Sequence, residues 1–131
     1  MAQLSRVRTS VLDISYEHSG TADAPVGVLL HGYPYDVRAF DGVVPILNTA
    51  RFRTIVPYLR GYGPTRFLSA DTPRSGEQAA LGMDLLELLD TLQIRQAVLA
   101  GFDWGGRGGI RRCGKHVTSD DCPTHALPSR N

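Results

Sequence analysis

Asp103 sits in Gly101-Phe102-Asp103-Trp104-Gly105, directly after the apolar run Ala97-Val98-Leu99-Ala100. The pentapeptide has the G-x-S-x-G shape with aspartate in the serine position. A nucleophile on a sharp strand-to-helix turn sits in crowded, strained backbone, and flanking glycines avoid the collisions that bulkier neighbours would cause. The carboxylate would also lie near a helix N-terminus, whose dipole favours its charged form. The same five residues equally suit a plain helix cap before a glycine-rich turn. A second group, His31-Gly32-Tyr33-Pro34, follows the apolar run Val26-Gly27-Val28-Leu29-Leu30. Such a turn can expose a backbone N–H beside a nucleophile. Joined by the N–H of the residue after the nucleophile, it makes an oxyanion hole, here with Tyr33 and Trp104 as donors. Alone it also reads as a Gly-Pro turn with a solvated histidine. The third group, Arg60-Gly61-Tyr62-Gly63-Pro64, is a tight loop that lacks the lysine and hydroxyl of a phosphate cradle. Each motif is weak by itself. In this order, each after its own strand, they line up His31, Arg60 and Asp103 along the carboxyl ends of the strands, where open α/β sheets bind ligands.

Those strands and their connections can be read from the pattern. Residues 7–16 alternate loosely and suit an early strand or edge hairpin, and 19–25 are a turn cluster. The β-branched run 26–30 reads as a buried strand. A helix is expected over 39–47, with Val43, Val44, Ile46 and Leu47 facing inward, and a second buried strand over 52–56. Residues 57–73 read as loop. Ser75-Gly76-Glu77-Gln78 has the capping-box form, so Ser75 is expected to cap a helix. Leu81, Leu85, Leu88 and Leu92, with Met83, Leu86 and Leu89, give that helix a broad apolar surface suited to packing on a sheet. A third buried strand follows over 97–100. Strands alternating with helices imply the α/β class, with mostly parallel strands and crossover helices.

The composition supports one globular unit. Of 131 residues, 42% are hydrophobic and 21% charged, which excludes disorder throughout, a collagen, a coiled coil or a disulfide scaffold. A net charge of +1 offers no footprint for nucleic acid or an anionic membrane. No apolar run is long enough for a membrane span, and the start has no secretory pattern, so the expected compartment is the cytoplasm. Residue usage changes after Arg107. Residues 108–131 hold six hydrophobic residues in 24, both cysteines and the only lysine. The expected organisation is therefore a partial α/β core over 1–107 and an atypical, disordered tail over 108–131. The change falls where an apolar helix is due, which points to a shifted reading frame near residue 107 or a gene model cut short. Cys113, His116, Cys122 and His125 do not have a standard zinc spacing. Asp120 or Asp121 with His125 gives the order acid then histidine, but a five-residue loop cannot replace two strand ends. No metal and no cofactor are expected.

The three motifs, on these elements and in this order, resemble the α/β-hydrolase superfamily, and within it the epoxide-hydrolase and haloalkane-dehalogenase branch. The likeness covers residues 7–107, the front part of that family's domain. It implies that Asp103 attacks an electrophilic sp³ carbon and forms an alkyl-enzyme ester. Water then cleaves the ester, with the Tyr33 and Trp104 N–H groups holding the oxyanion. The Trp104 ring would line the pocket or, in a dehalogenase, hold the leaving halide. His31, Gly32 and Pro34 would shape the turn and pocket floor, with His31 a structural member of its turn. The aromatic Tyr33 and the Arg-Gly-Tyr-Gly loop favour the epoxide-hydrolase side, since dehalogenases more often carry asparagine at position 33. Tyr58 is a departure, standing where relatives often have aspartate.

The resemblance also implies a lid, a catalytic acid and a histidine later in the chain, none of which is identifiable here. The expected function is thus that of an epoxide-hydrolase-like enzyme represented by its N-terminal part, inactive alone. The alternatives are a dehalogenase-like fragment, or a non-catalytic product that associates through an open sheet edge. The implied partner is a small molecule, an epoxide or alkyl halide, with no nucleic acid and no membrane. Self-association or aggregation of the fragment is expected.

Overall fold

Val26–Leu30 is apolar on both faces, as a strand in the middle of a sheet must be. In the computed structural model, which describes residues 2–105, it is the central strand β3. The tail over 108–131, with its cysteines and its two histidines, lies outside the described residues. β3 pairs in parallel with β4 (Arg53–Pro57) on one side and with β6 (Val98–Gly101) on the other. β1 (Gln3–Arg8) and β2 (Leu12–Ser19) form an antiparallel hairpin, and β2 joins β4 antiparallel. A two-residue strand β5 (Arg66–Phe67) also pairs with β2. The six strands make one mixed sheet, five of them in the order β1-β2-β4-β3-β6 and β5 off this path on β2. This is an α/β architecture with a parallel centre and an antiparallel flank.

Helices cover both faces. α2 (Gln78–Thr91) buries Leu81, Leu85, Leu86, Leu88 and Leu89. It packs on the face formed by Leu12, Ile14, Val28, Leu30, Ile55 and Leu99. On the other face, a 3-10 turn (Val37–Phe40) and the short helix α1 (Val44–Thr49) cover Leu29 and Val56. Both helices end in the same way. Gln93 (φ +58°) lets the Ile94 N–H reach the Leu89 carbonyl at 2.9 Å and its own N–H reach that of Asp90 at 3.0 Å. Arg51 (φ +66°) does the same for α1, with Phe52 bonding Leu47 at 2.9 Å. These are Schellman endings built without glycine.

Several local expectations need correction. Of the two readings of segment 7–16, the hairpin holds and the single strand does not: residues 7–8 close β1 and 12–16 open β2. The helix expected over 39–47 is split, because Pro45 suits a helix start and α1 begins only at Val44. As a result Val43 and Ile46 point outward, 42% and 68% exposed, while Val37 and Phe40 supply the burial. The loop 57–73 contains β5. Ser75 does not cap α2: the helix starts at Gln78, and the Ser75 hydroxyl accepts only from the Glu77 N–H at 3.2 Å. Met83 is 40% exposed and takes no part in the apolar face.

Candidate active site

The carboxyl ends of β4, β3 and β6 lie side by side, and each feeds one of the sequence motifs. After β6 the chain turns at Asp103, whose φ of +52° lies in the left-handed region. Aspartate tolerates that region better than most residues, at a cost of about 1 kcal/mol. Trp104 and Gly105 then open a helical turn. Two glycines make this junction sterically possible. A Cβ on Gly105 would lie 2.2 Å from the Leu30 carbonyl oxygen. A Cβ on Gly32 would meet Asp103 Cβ at 2.6 Å and the Phe102 carbonyl oxygen at 2.8 Å. Close backbone approach, not merely a flexible turn, is what these glycines supply.

That approach brings the two motifs into contact. The Tyr33 N–H donates to Asp103 Oδ2 at 3.1 Å. Tyr35 N–H bonds the Gly32 carbonyl at 2.8 Å, closing the turn that carries the cis Tyr33–Pro34 bond. The Tyr33 side chain is 70% exposed and Tyr35 59%. Tyr35 and Phe40 each pack their rings against Phe102, with centroids 6.0 and 5.8 Å apart. Trp104 immediately follows Asp103 and helps line an apolar cavity with Leu30, Tyr58, Leu59, Leu81 and Leu85. The Tyr58 ring lies against Gly63, filling the loop at the position where the sequence departs from its likeness.

His31 is fully buried. Its Nε2 accepts the Leu59 N–H at 3.1 Å, and Nδ1 faces the Gly32 carbonyl at 3.4 Å. This pattern fits the neutral tautomer with the proton on Nδ1. Burial pushes the imidazole below its ordinary value, while the Gly32 carbonyl and Asp36 pull it back in part. Tyr62 stands edge-on to this ring with centroids 4.7 Å apart. Burial raises the Tyr62 hydroxyl, and the charges of Asp103 and Tyr33 raise it further. Among the described residues, neither histidine is placed as a base at Asp103. His31 has both nitrogens engaged, and His18 bonds the Ser5 hydroxyl at 2.9 Å.

Arg60 leaves the strand ends and points to α2. Its Nε and one terminal nitrogen reach the two Asp84 oxygens, each at 2.7 Å, and the other terminal nitrogen donates to the Ser75 carbonyl at 2.9 Å. Burial pushes the Asp84 carboxyl up, and the adjacent guanidinium offsets part of the rise. Asp84 is not among the residues the sequence points to, and Tyr62 enters there only as part of its loop. The signal for Asp84 was present: it falls on the buried stripe Leu81, Asp84, Leu85, Leu88, where an unpaired carboxylate would be costly.

Comparison with known proteins agrees with this fold. A family model described as the alpha/beta hydrolase fold matches residues 25–123. The chain is 32% identical over 105 residues to epoxide hydrolase 3 of Siraitia grosvenorii, covering 80% of this chain and 33% of that protein. It is 37% identical over 95 residues to a 2-heptyl-3-hydroxy-4(1H)-quinolone dioxygenase of Mycobacteroides abscessus, covering 72% of this chain and 34% of that one. The crystal structure of a candidate epoxide hydrolase from Klebsiella pneumoniae superposes with a TM-score of 0.85 at 46% identity, covering 89% of this chain and 40% of that one. The chain thus spans about a third of the length of these curated relatives.

Proposed function

The chain belongs to the α/β hydrolase fold family, and from that premise we propose that it is the nucleophile-bearing part of an epoxide-hydrolase-like enzyme, with Asp103 as the attacking group. Relatives on this fold include a dioxygenase, so the reaction is argued from the site and not from the fold. The observation that carries the reading is the Asp103 carboxylate on its left-handed turn, with the Tyr33 N–H on Oδ2.

That hydrogen bond divides the labour between the two oxygens. Oδ2 is held by the amide, so Oδ1 attacks. It forms a C–O bond to a ring carbon of the epoxide as the ring C–O bond breaks. The ring oxygen takes the electron pair and then a proton from water, leaving a hydroxyalkyl ester. When water later adds to the ester carbon, the negative charge develops on Oδ2. The Tyr33 N–H is then already in place, and the Trp104 N–H is the second donor of the pair. Collapse releases a 1,2-diol and restores the carboxylate. The second step needs a base to activate water, and His31, engaged on both nitrogens, is unsuited to it. Full turnover is therefore proposed for the whole-length protein, since among the described residues no histidine is placed to carry the reaction past the ester. The exposed Tyr33 and Tyr35, on the turn whose amide reaches Asp103, would offer an aromatic rim to an apolar epoxide.

Intact-protein mass spectrometry with 1,2-epoxybutane tests this. One adduct with the full mass of the epoxide is expected, mapping to Asp103 and absent from Asp103→Asn. Equal labelling of both proteins rejects Asp103. An alkyl bromide that labels Asp103 with release of bromide, where the epoxide does not, selects the dehalogenase reading.

A further inference from the structure

We propose that Arg60 and Asp84 are positioning residues for Asp103, acting through the Leu59 amide and His31 on the turn that presents the Tyr33 N–H. The proposal rests on the reading of Asp103 as nucleophile, and it concerns how that carboxylate is held. The Arg60–Asp84 pair lies between the loop after β4 and the middle of α2, with side chains only 10% and 11% exposed. Two parallel bonds at 2.7 Å and a third from the guanidinium to the Ser75 carbonyl at 2.9 Å fix its orientation. Such a fork is directional in a way that a lysine or an apolar pair is not.

The consequence passes to the next residue. Leu59 precedes Arg60 and donates its N–H to His31 Nε2 at 3.1 Å. That bond keeps Nε2 bare and the proton on Nδ1, facing the Gly32 carbonyl. Tyr62, two residues after Arg60, closes the ring from its edge. His31 leads directly into Gly32, packed against Asp103, and into Tyr33, whose N–H reaches Oδ2 at 3.1 Å. From α2 to the nucleophile every link is a hydrogen bond or an adjacent peptide. A buried ion pair contributes little net stability compared with apolar residues of similar size. Orientation of the loop is what the fork adds.

The test compares the full chain with Arg60→Lys, Asp84→Asn and the double variant Arg60→Met/Asp84→Leu, which keeps packing without the fork. Two quantities are read in variants that still melt cooperatively. The first is the His31 ring-nitrogen signature in long-range ¹H–¹⁵N spectra. Wild type is expected to show one bare and one protonated nitrogen, and the variants an averaged pair. The second is the rate at which 1,2-epoxybutane labels Asp103, expected to fall about tenfold or more, since small misplacements at a reacting centre cost that much. A folded variant with unchanged His31 signals, or one with shifted signals and an unchanged labelling rate, overturns the proposal. If wild type itself is not labelled, the nucleophile reading fails, and the His31 signals alone then decide whether the pair sets the turn. If none of the three variants folds, the pair is a folding element and the positioning role is rejected.

Discussion

At the scale of single residues, the site depends on backbone approaching backbone, and Gly32 is the most sensitive point. A methyl group there would lie 2.6 Å from Asp103 Cβ and 2.8 Å from a carbonyl oxygen, and neither is the flexible end of a side chain. Gly32→Ala is expected to cost about 2 kcal/mol, within the range of overpacking. It should also abolish epoxide labelling by moving the Tyr33 N–H off Oδ2. Urea melts and the mass assay check the two effects separately. His31 sets a pH limit. Its folded-state pKa lies below the ordinary value near 6.5, so on acidification the unfolded chain takes up a proton that the buried ring refuses. Stability contributed by the neutral ring is complete above that value and declines as pH falls toward the lowered folded one. Urea midpoints should fall as the pH is lowered below about 6.5, and His31→Gln should flatten this limb. A slope of the same size in the variant would assign it to another group.

At the scale of elements, both helices end on a side-chain-bearing residue in a conformation that suits glycine. Gln93→Gly and Arg51→Gly should each stabilise the chain by about 0.5–1 kcal/mol, readable as a raised thermal midpoint. A lowered midpoint would mean that the side chains make contacts outweighing the relieved backbone. The same feature explains a limit of the sequence reading. With no glycine after α1, nothing in the residues marked its end, and Pro45 moved its start. The expected inward face was therefore displaced, and Ile46→Ala is expected to change stability by less than about 0.5 kcal/mol. Phe40→Ala, in contrast, should cost about 3 kcal/mol. The strands were legible because apolar runs bounded by turns leave few choices: 26–30 was read to the residue, 52–56 and 97–100 within one. The meeting of the Tyr33 amide with Asp103 was legible as motif order. The hold on His31 was not, because it depends on the Leu59 amide, which no side-chain pattern reports. β5 was missed because two residues are too short to alternate.

At the scale of the whole molecule, the two ends of the sheet are protected unequally. The outer strand β1 carries Arg6 and Arg8, charges of the kind that discourage strand addition. At the other end, β6 reads Val-Leu-Ala-Gly, carries no charge, and pairs with β3 alone among the described residues. Val98 on this strand is 37% exposed. An uncharged parallel strand whose second edge has no partner among the described residues is a template for another copy, whereas the charged hairpin is not. The chain is therefore expected to self-associate through β6, with an apparent mass by size exclusion and light scattering that grows with concentration. Val98→Lys places a charge on that edge and should return the protein toward monomer. A matching charge reversal on β1, Arg6→Glu, should leave association as it was. A wild-type chain that stays monomeric at every concentration would refute this. So would a Val98→Lys variant that associates as strongly as wild type, because the contact would then have to lie elsewhere, on the exposed Tyr33 and Tyr35 at the mouth of the site or on Ile46 of α1.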